Sequence, residues 1–216
     1  SAHERPRKCR PSDFPGPLVM CYAYSMTPGI PSVLVDEKEP TEQLIQYALD
    51  MGHRRIGVIT GKTDSSHMQE RLLAYQDVLF RNEVLFDPSL VCLGDWERES
   101  GYRFTDHLLQ KDVTLIFCMN DLMAGGVYDR LEELGLTVGK DISVLGYDNR
   151  LLSQYVKPPL TTVELPLHDL GYRAAEIALE AVQLGRDQVP QQTHVAGKVV
   201  LRNSVCRVEN DFKQRK

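Results

Sequence analysis

Four side chains of complementary chemistry are spread along the 216-residue sequence: Arg71, Trp96, Asn120 and Asp148. A planar guanidinium and a carboxylate can hold vicinal hydroxyls, and an indole face covers apolar C–H surface. A neutral polyol or sugar needs this mixture. His67 lies near the same crevice and is a further candidate contact. Each residue also has a plainer use. Asn120 and Asp148 can cap helices, Trp96 can simply pack, and Arg71 can pair with Glu70 or Asp64 on the surface. Of the remaining histidines, His53 is read as satisfying backbone groups at a helix end, and His168 as a capping or surface residue.

Catalytic signatures are missing from the sequence. Gly61-Lys62-Thr63 imitates the end of a phosphate loop, but Ile56 occupies the place of the first glycine of G-x-x-x-x-G-K-T. There is no G-x-S-x-G elbow. The five cysteines (Cys9, Cys21, Cys92, Cys118 and Cys206) make no C-x-x-C pair, and Cys92 and Cys118 sit inside apolar runs as small hydrophobes. The reading expects no catalytic residue, no metal and no cofactor, and a reducing, cytoplasmic setting.

An alternation of strands and helices has to position the four side chains. Apolar runs at 18–22, 32–35, 55–60, 90–94, 114–118, 142–147 and 198–202 read as strands. Between them, residues 40–51, 67–82, 99–110, 122–134 and 167–184 carry helical spacing, as in Met68, Leu72, Tyr75 and Leu79. Gly52 and Gly135 follow two of these helices as natural stops. Repeated strand–helix units with short connections predict parallel pairing, right-handed crossovers and a doubly wound α/β fold. Ligands of such sheets bind beyond the carboxyl ends of the strands. Arg71, Trp96, Asn120 and Asp148 each follow a different strand, so they converge on one crevice.

Composition is that of a folded protein, with 42 % apolar and 25 % charged residues. A net charge of −5 argues against this chain gripping nucleic acid by itself. The basic cluster Arg5, Arg7, Lys8 and Arg10 reads as a solvated loop, or else as an arm touching phosphates. No apolar run approaches the roughly 20 residues of a membrane span, and the first residues lack the apolar core of a secretory signal.

Several passages resemble LacI/GalR-type transcriptional regulators in order and spacing. They are the run 50–61 (DMGHRRIGVITG), Gly94-Asp95-Trp96 with Ser100-Gly101-Tyr102, and 116–126 (IFCMNDLMAGG). The runs 141–149 (DISVLGYDN) and 158–163 (PPLTTV) complete the set, and the resemblance covers residues 18–205. It implies a periplasmic-binding-protein-like type I fold: doubly wound parallel sheets in two subdomains, the N-terminal one incomplete. Residues 1–36 and 166–193 would be the remnant of the N-terminal subdomain. Residues 37–164 and 194–208 would form the C-terminal one, and the chain would be a fragment. The resemblance also places Arg71, Trp96, Asn120 and Asp148 at positions that contact the small-molecule effector. It puts Ser65 and His67 on loop positions that tune effector choice. Leu165 stands where some members use a polar contact, and Pro40 replaces a common glycine.

The function so implied is the effector-binding and dimerisation core of a sugar-responsive bacterial regulator, acting by allostery and not as an enzyme. Its partners would be a small-molecule effector, operator DNA through a headpiece not in this chain, and a second copy of itself, with no membrane. The alternative is a periplasmic-type sugar receptor of a transport system, which shares the two-lobed fold. The dimer is expected to use helix 122–134, with Leu122, Val127, Leu131, Leu134 and the Gly125-Gly126 pair, bordered by 151–155 with Tyr155. Replacing either Arg71 or Asp148 by alanine is expected to abolish effector binding with little loss of fold.

Overall fold

Apolar runs stopped by glycines and turns become the strands, and the amphipathic runs between them become the helices. The computed structural model describes Phe14 and residues 16–208. The basic cluster Arg5, Arg7, Lys8 and Arg10, together with Cys9, lies outside the described residues. In chain order the elements are β1 (Met20–Cys21), β2 (Ser32–Asp36), α1 (Lys38–Asp50), β3 (Ile56–Ile59) and α2 (Ser66–Arg81). They continue as β4 (Val91–Cys92), α3 (Arg98–Leu109), β5 (Leu115–Cys118), α4 (Asp121–Glu133) and β6 (Ser143–Leu145). Last come α5 (Leu152–Tyr155), β7 (Thr162–Glu164), α6 (Leu167–Leu184), β8 (Gln192–Ala196) and β9 (Lys198–Val200).

The strands form three sheets. The largest has the order β4-β3-β5-β6, all parallel, with Val58 opposite Phe117 and Phe117 opposite Leu145. A smaller parallel sheet has the order β1-β2-β8, and β7 pairs antiparallel with β9. Strands β3, β5 and β6 of the large sheet are buried along both faces, as helix-covered parallel strands must be. Its core joins α1, α2, α3 and α4 to the sheet through residues such as Leu44, Tyr75, Leu108 and Leu131. A separate cluster of Val33, Val35, Leu170, Ile177, Ala181 and Val189 seats α6 on the small sheet, and Leu165 packs against both clusters.

Three departures from the sequence reading have local causes. β8 escapes the apolar search because Gln192–Ala196 is half exposed along its length. It nevertheless pairs with β2 as far as Ala196 opposite Asp36. The passage between sheets expected after Thr193 therefore falls at Gly197, where a side chain would press on the Glu164 carbonyl at 2.6 Å. The antiparallel β7–β9 pair breaks the wholly parallel expectation. The runs at 18–22 and 90–94 keep only two strand residues each.

Among the described residues the chain leaves the small sheet at Asp36-Glu37 into α1, returns to it between β7 and α6, and leaves it again at Gly197 for β9. Helices α3 and α4 touch backbone to backbone. A Cβ on Gly126 would strike the Arg98 carbonyl, and one on Gly101 the Met123 carbonyl. Val127 and Leu131 are fully buried in the chain's own core. These residues, with Gly126, therefore close the fold and do not supply the dimer surface read from the helix. Leu134, Leu151 and Tyr155 remain exposed at 42 %, 67 % and 72 %.

Two glycine substitutions should behave oppositely in urea unfolding. Gly126→Ala forces α3 and α4 apart and is expected to cost about 1–3 kcal/mol. Gly171, inside α6, has open space around it. Gly171→Ala should stabilise by about 0.5–1 kcal/mol through helix entropy alone. Equal effects would show that the close helix contact is not as described.

Candidate functional site

Each strand of the large sheet delivers one piece of the site at its carboxyl end. The stretch after β3 opens α2, whose second turn carries Arg71; the loop after β4 carries Trp96. Asn120 follows β5, and Asp148 follows β6. Arg71, Trp96, Asn120, Asp148 and His67 line one cavity of about 360 Å³, closed on its other side by Tyr22, which follows β1 of the small sheet. Lys62, Asp95, Glu97, Leu122 and Arg150 complete the lining.

The backbone at three of these positions is unusual. Tyr22 has φ 60°, Trp96 φ 76° and Asp148 φ 106°, with Asn149 at 53°. Non-glycine residues held there cost on the order of 1–3 kcal/mol and persist only where their surroundings impose it, typically at binding sites. The surroundings here can be named. Asn120 Nδ2 donates to the Trp96 carbonyl at 2.8 Å, and the indole lies so flat on Gly61 that a Cβ there would enter the ring. The Asp148 amide donates to Val163 O at 2.8 Å. Buried Asp121 accepts from the Arg150 amide and the Thr162 hydroxyl, both at 2.7 Å, and burial pushes its carboxyl up to about 7. The side chain of Asp148 is 13 % exposed and accepts from Arg150 Nε at 3.0 Å. Burial raises its pKa, against the pull of Arg71 and Arg150.

Arg71 is 2 % exposed and stacks 3.6 Å over the Tyr147 ring. Its Nε and Nη2 donate to the two carboxylate oxygens of Glu37 at 2.8 and 3.1 Å, and Nη1 donates to the Met119 carbonyl. His67 Nδ1 lies 2.9 Å from Glu37 Oε1, and its ring stacks on Tyr22 with centroids 5.0 Å apart. Glu37 is wholly buried. Burial alone would raise its pKa, but the charge of Arg71 and the hydrogen bonds from His67 and Arg71 outweigh that and hold it at about 2.

The structure thus brings five of the six sequence candidates together and leaves one out. Ser65 is buried and caps α2, accepting from the Met68 amide at 3.3 Å, and it does not line the cavity. Asn120 does both jobs considered for it: it faces the cavity while its Oδ1 caps α4 through the Met123 amide at 2.8 Å. The partner of Arg71 is Glu37 and neither Glu70 nor Asp64; Glu70 instead accepts from the Tyr24 hydroxyl at 2.7 Å. Removing Arg71 would leave a buried carboxylate without its counter-charge, a loss of about 3–5 kcal/mol. The expectation of little damage to the fold therefore survives for Asp148 only. Sequence reasoning missed Glu37, which looks like one more charge in the run Asp36-Glu37-Lys38-Glu39 at a helix start. It also missed Tyr22 and the lining role of Lys62. Buried His53 bonds Thr114 Oγ1 at 2.8 Å and the Cys206 carbonyl at 3.0 Å, pinning the C-terminal segment and not a helix end. His168 is exposed on the surface.

Residues 45–205 match the family described as a periplasmic binding protein-like domain. Over 169 residues the chain is 32 % identical to the HTH-type transcriptional repressor CytR of Escherichia coli (strain K12), covering 77 % of this chain and 50 % of the relative. A regulatory protein of the LacI family from Chloroflexus aggregans superposes with a TM-score of 0.79 at 26 % identity, covering 88 % and 68 % of the two chains. The chain belongs to the periplasmic-binding-protein-like family, as a LacI-type core. The lac repressor dimer bound to operator and the anti-inducer ONPF is also similar, with a TM-score of 0.74 and 29 % identity over 81 % of this chain and 60 % of the other. The LacI-type core described here spans about half the length of the curated repressor it matches. No helix among its described residues is long and apolar enough to cross a membrane.

The depressed pKa of Glu37 makes a signed prediction. Its folded value lies below the unfolded one, so its ionised form stabilises the fold above about pH 4.5, and that contribution fades as pH falls toward 2. Glu37→Gln should lower the thermal midpoint at pH 7, and the gap to the unsubstituted protein should narrow as pH drops through that window. A gap that stays constant with pH would show that Glu37 is not held ionised.

Proposed function

We propose that this chain is the effector-binding and dimerisation core of a sugar-responsive transcriptional regulator, with operator contact made by a headpiece outside it. The observation that carries the reading is the cavity between the two sheets, where Trp96 and Asp148 are held at positive φ with indole and carboxylate facing one space. A hydroxylated ligand of monosaccharide size suits that volume. Asp148 and Arg150 would take hydroxyls, and Trp96 would cover the C–H face of the ring. The function would be allosteric and not catalytic, exercised in the cytoplasm.

The mechanism follows from where the cavity sits. Tyr22 and Tyr24 belong to the small sheet's side of the cleft, while His67 and Glu70 belong to α2 on the large side. A ligand gripped by both sides changes the relative stability of open and closed arrangements. Coupling of about 1–3 kcal/mol between closure and the headpieces is enough for regulation. Similarity to CytR, named as a repressor, favours this reading over a transport receptor. The lac repressor neighbour is a dimer on its operator, and a regulator that reads paired half-sites needs two-fold symmetry. For this chain the exposed Leu134, Leu151 and Tyr155 offer the apolar area of such a contact.

Titration with a panel of mono- and disaccharides, followed by the emission of Trp96, tests the cleft. A binding sugar should shift the emission, and Asp148→Asn should weaken its affinity by about 1–3 kcal/mol, roughly five- to 150-fold. Calorimetric binding that leaves both emission and the variant's affinity unchanged would place the site elsewhere. Sedimentation equilibrium tests the assembly: the chain should dimerise, and Leu151→Glu with Tyr155→Glu should shift it to monomer. A double variant that associates as strongly as the parent would move the interface.

A further inference from the structure

An arginine facing a ligand cavity normally recruits anions, because its fork of N–H donors matches carboxylate and phosphate. Arg71 is not available in that way. Its Nε–Nη2 edge is occupied by both oxygens of Glu37, Nη1 is engaged by the Met119 carbonyl, and one face is covered by Tyr147. Three of its five N–H groups are therefore spent before any ligand arrives. His67 is committed by the same carboxylate. Its Nδ1 donates to Glu37 Oε1 at 2.9 Å, so that edge of the ring is already engaged. A second cation of the wall is also paired: Arg150 faces Asp148 at 3.0 Å.

We propose that Glu37 is a specificity-determining residue, which pre-pairs Arg71 and His67 so that the cleft accepts neutral hydroxylated ligands and rejects phosphorylated or carboxylated ones. The inference rests on the cleft being the effector site. Glu37 acts behind the wall, 0 % exposed, and it is the first residue after β2, where the chain passes between sheets. A ligand anion at Arg71 would meet the negative charge of Glu37 at close range in a weakly screened interior. A neutral polyol meets the same closed ion pair without that repulsion.

The test uses inorganic phosphate, and D-ribose beside D-ribose 5-phosphate, on the full chain and on Glu37→Gln, which keeps size but removes the charge. Calorimetry and thermal midpoints should show no phosphate binding to the parent at millimolar concentration. In Glu37→Gln, phosphate or the phosphorylated sugar should gain about tenfold or more in affinity. Should Glu37→Gln not fold, Glu37→Met takes its place; it also keeps size and removes the charge, and the gain should have the same sign. Phosphate stabilising the parent, with the effect lost in Arg71→Gln, overturns the inference while leaving the cleft a ligand site. A folded variant that gains nothing overturns it as well. A neutral sugar that binds without any response from Trp96 or Asp148→Asn overturns the reading of the cleft itself.

Discussion

A guanidinium cannot be taken out of water without a counter-charge, and in this fold Arg71 is taken almost completely out of water. Glu37 supplies the charge, and its position decides what else follows. It stands at the first passage of the chain from the small sheet to the large one, so the pair ties α2 to the segment that joins the two sheets. His67 adds a third member, and Tyr22 stacks on His67 from the small-sheet side. The deepest point of the cleft and the connection between its walls are therefore one electrostatic unit. A contact made in the cleft bears directly on the segment about which the walls would move.

Around that unit the site is assembled by residues that cap and residues that strain. Asn120 caps α4 with its oxygen and holds the Trp96 carbonyl with its nitrogen, so one side chain fixes a helix start and the loop opposite it. Asp121, next to it, anchors the turn that carries Asp148 through the Arg150 amide and Thr162. The left-handed backbones of Trp96 and Asp148 are stable because these bonds leave them no alternative. Helix starts that cluster at the carboxyl ends of parallel strands give the cleft its rigidity, and this is the general reason such sheets bind ligands there.

Much of this was legible in the residues alone. Helix 167–184 was read to the residue, because its apolar stripe is long and stops at Gly185. The strands 55–60 and 114–118 were found because both faces are buried and the runs are continuously apolar. Arg71, Trp96, Asn120, Asp148 and His67 could be singled out because strand order fixes where loops emerge, and a loop position is a local property of the sequence.

What the sequence could not decide depends on distances across the fold. Glu37 is an ordinary charged residue until tertiary packing sets it 34 positions away from its partner in sequence and 2.8 Å away in space. Gly125, Gly126, Val127 and Leu131 read as a surface for a second copy, since an apolar helix face looks the same whether another helix of the same chain covers it or not; α3 covers part of it here. β8 was invisible because strand pairing with β2 is a backbone interaction that half-exposed side chains do not announce. Composition and periodicity thus determined most of the elements and the crevice they form. The charge partner of Arg71, the backbone strain at Trp96 and Asp148, and the place where the chain passes between sheets were decided by long-range packing, which no local pattern encodes.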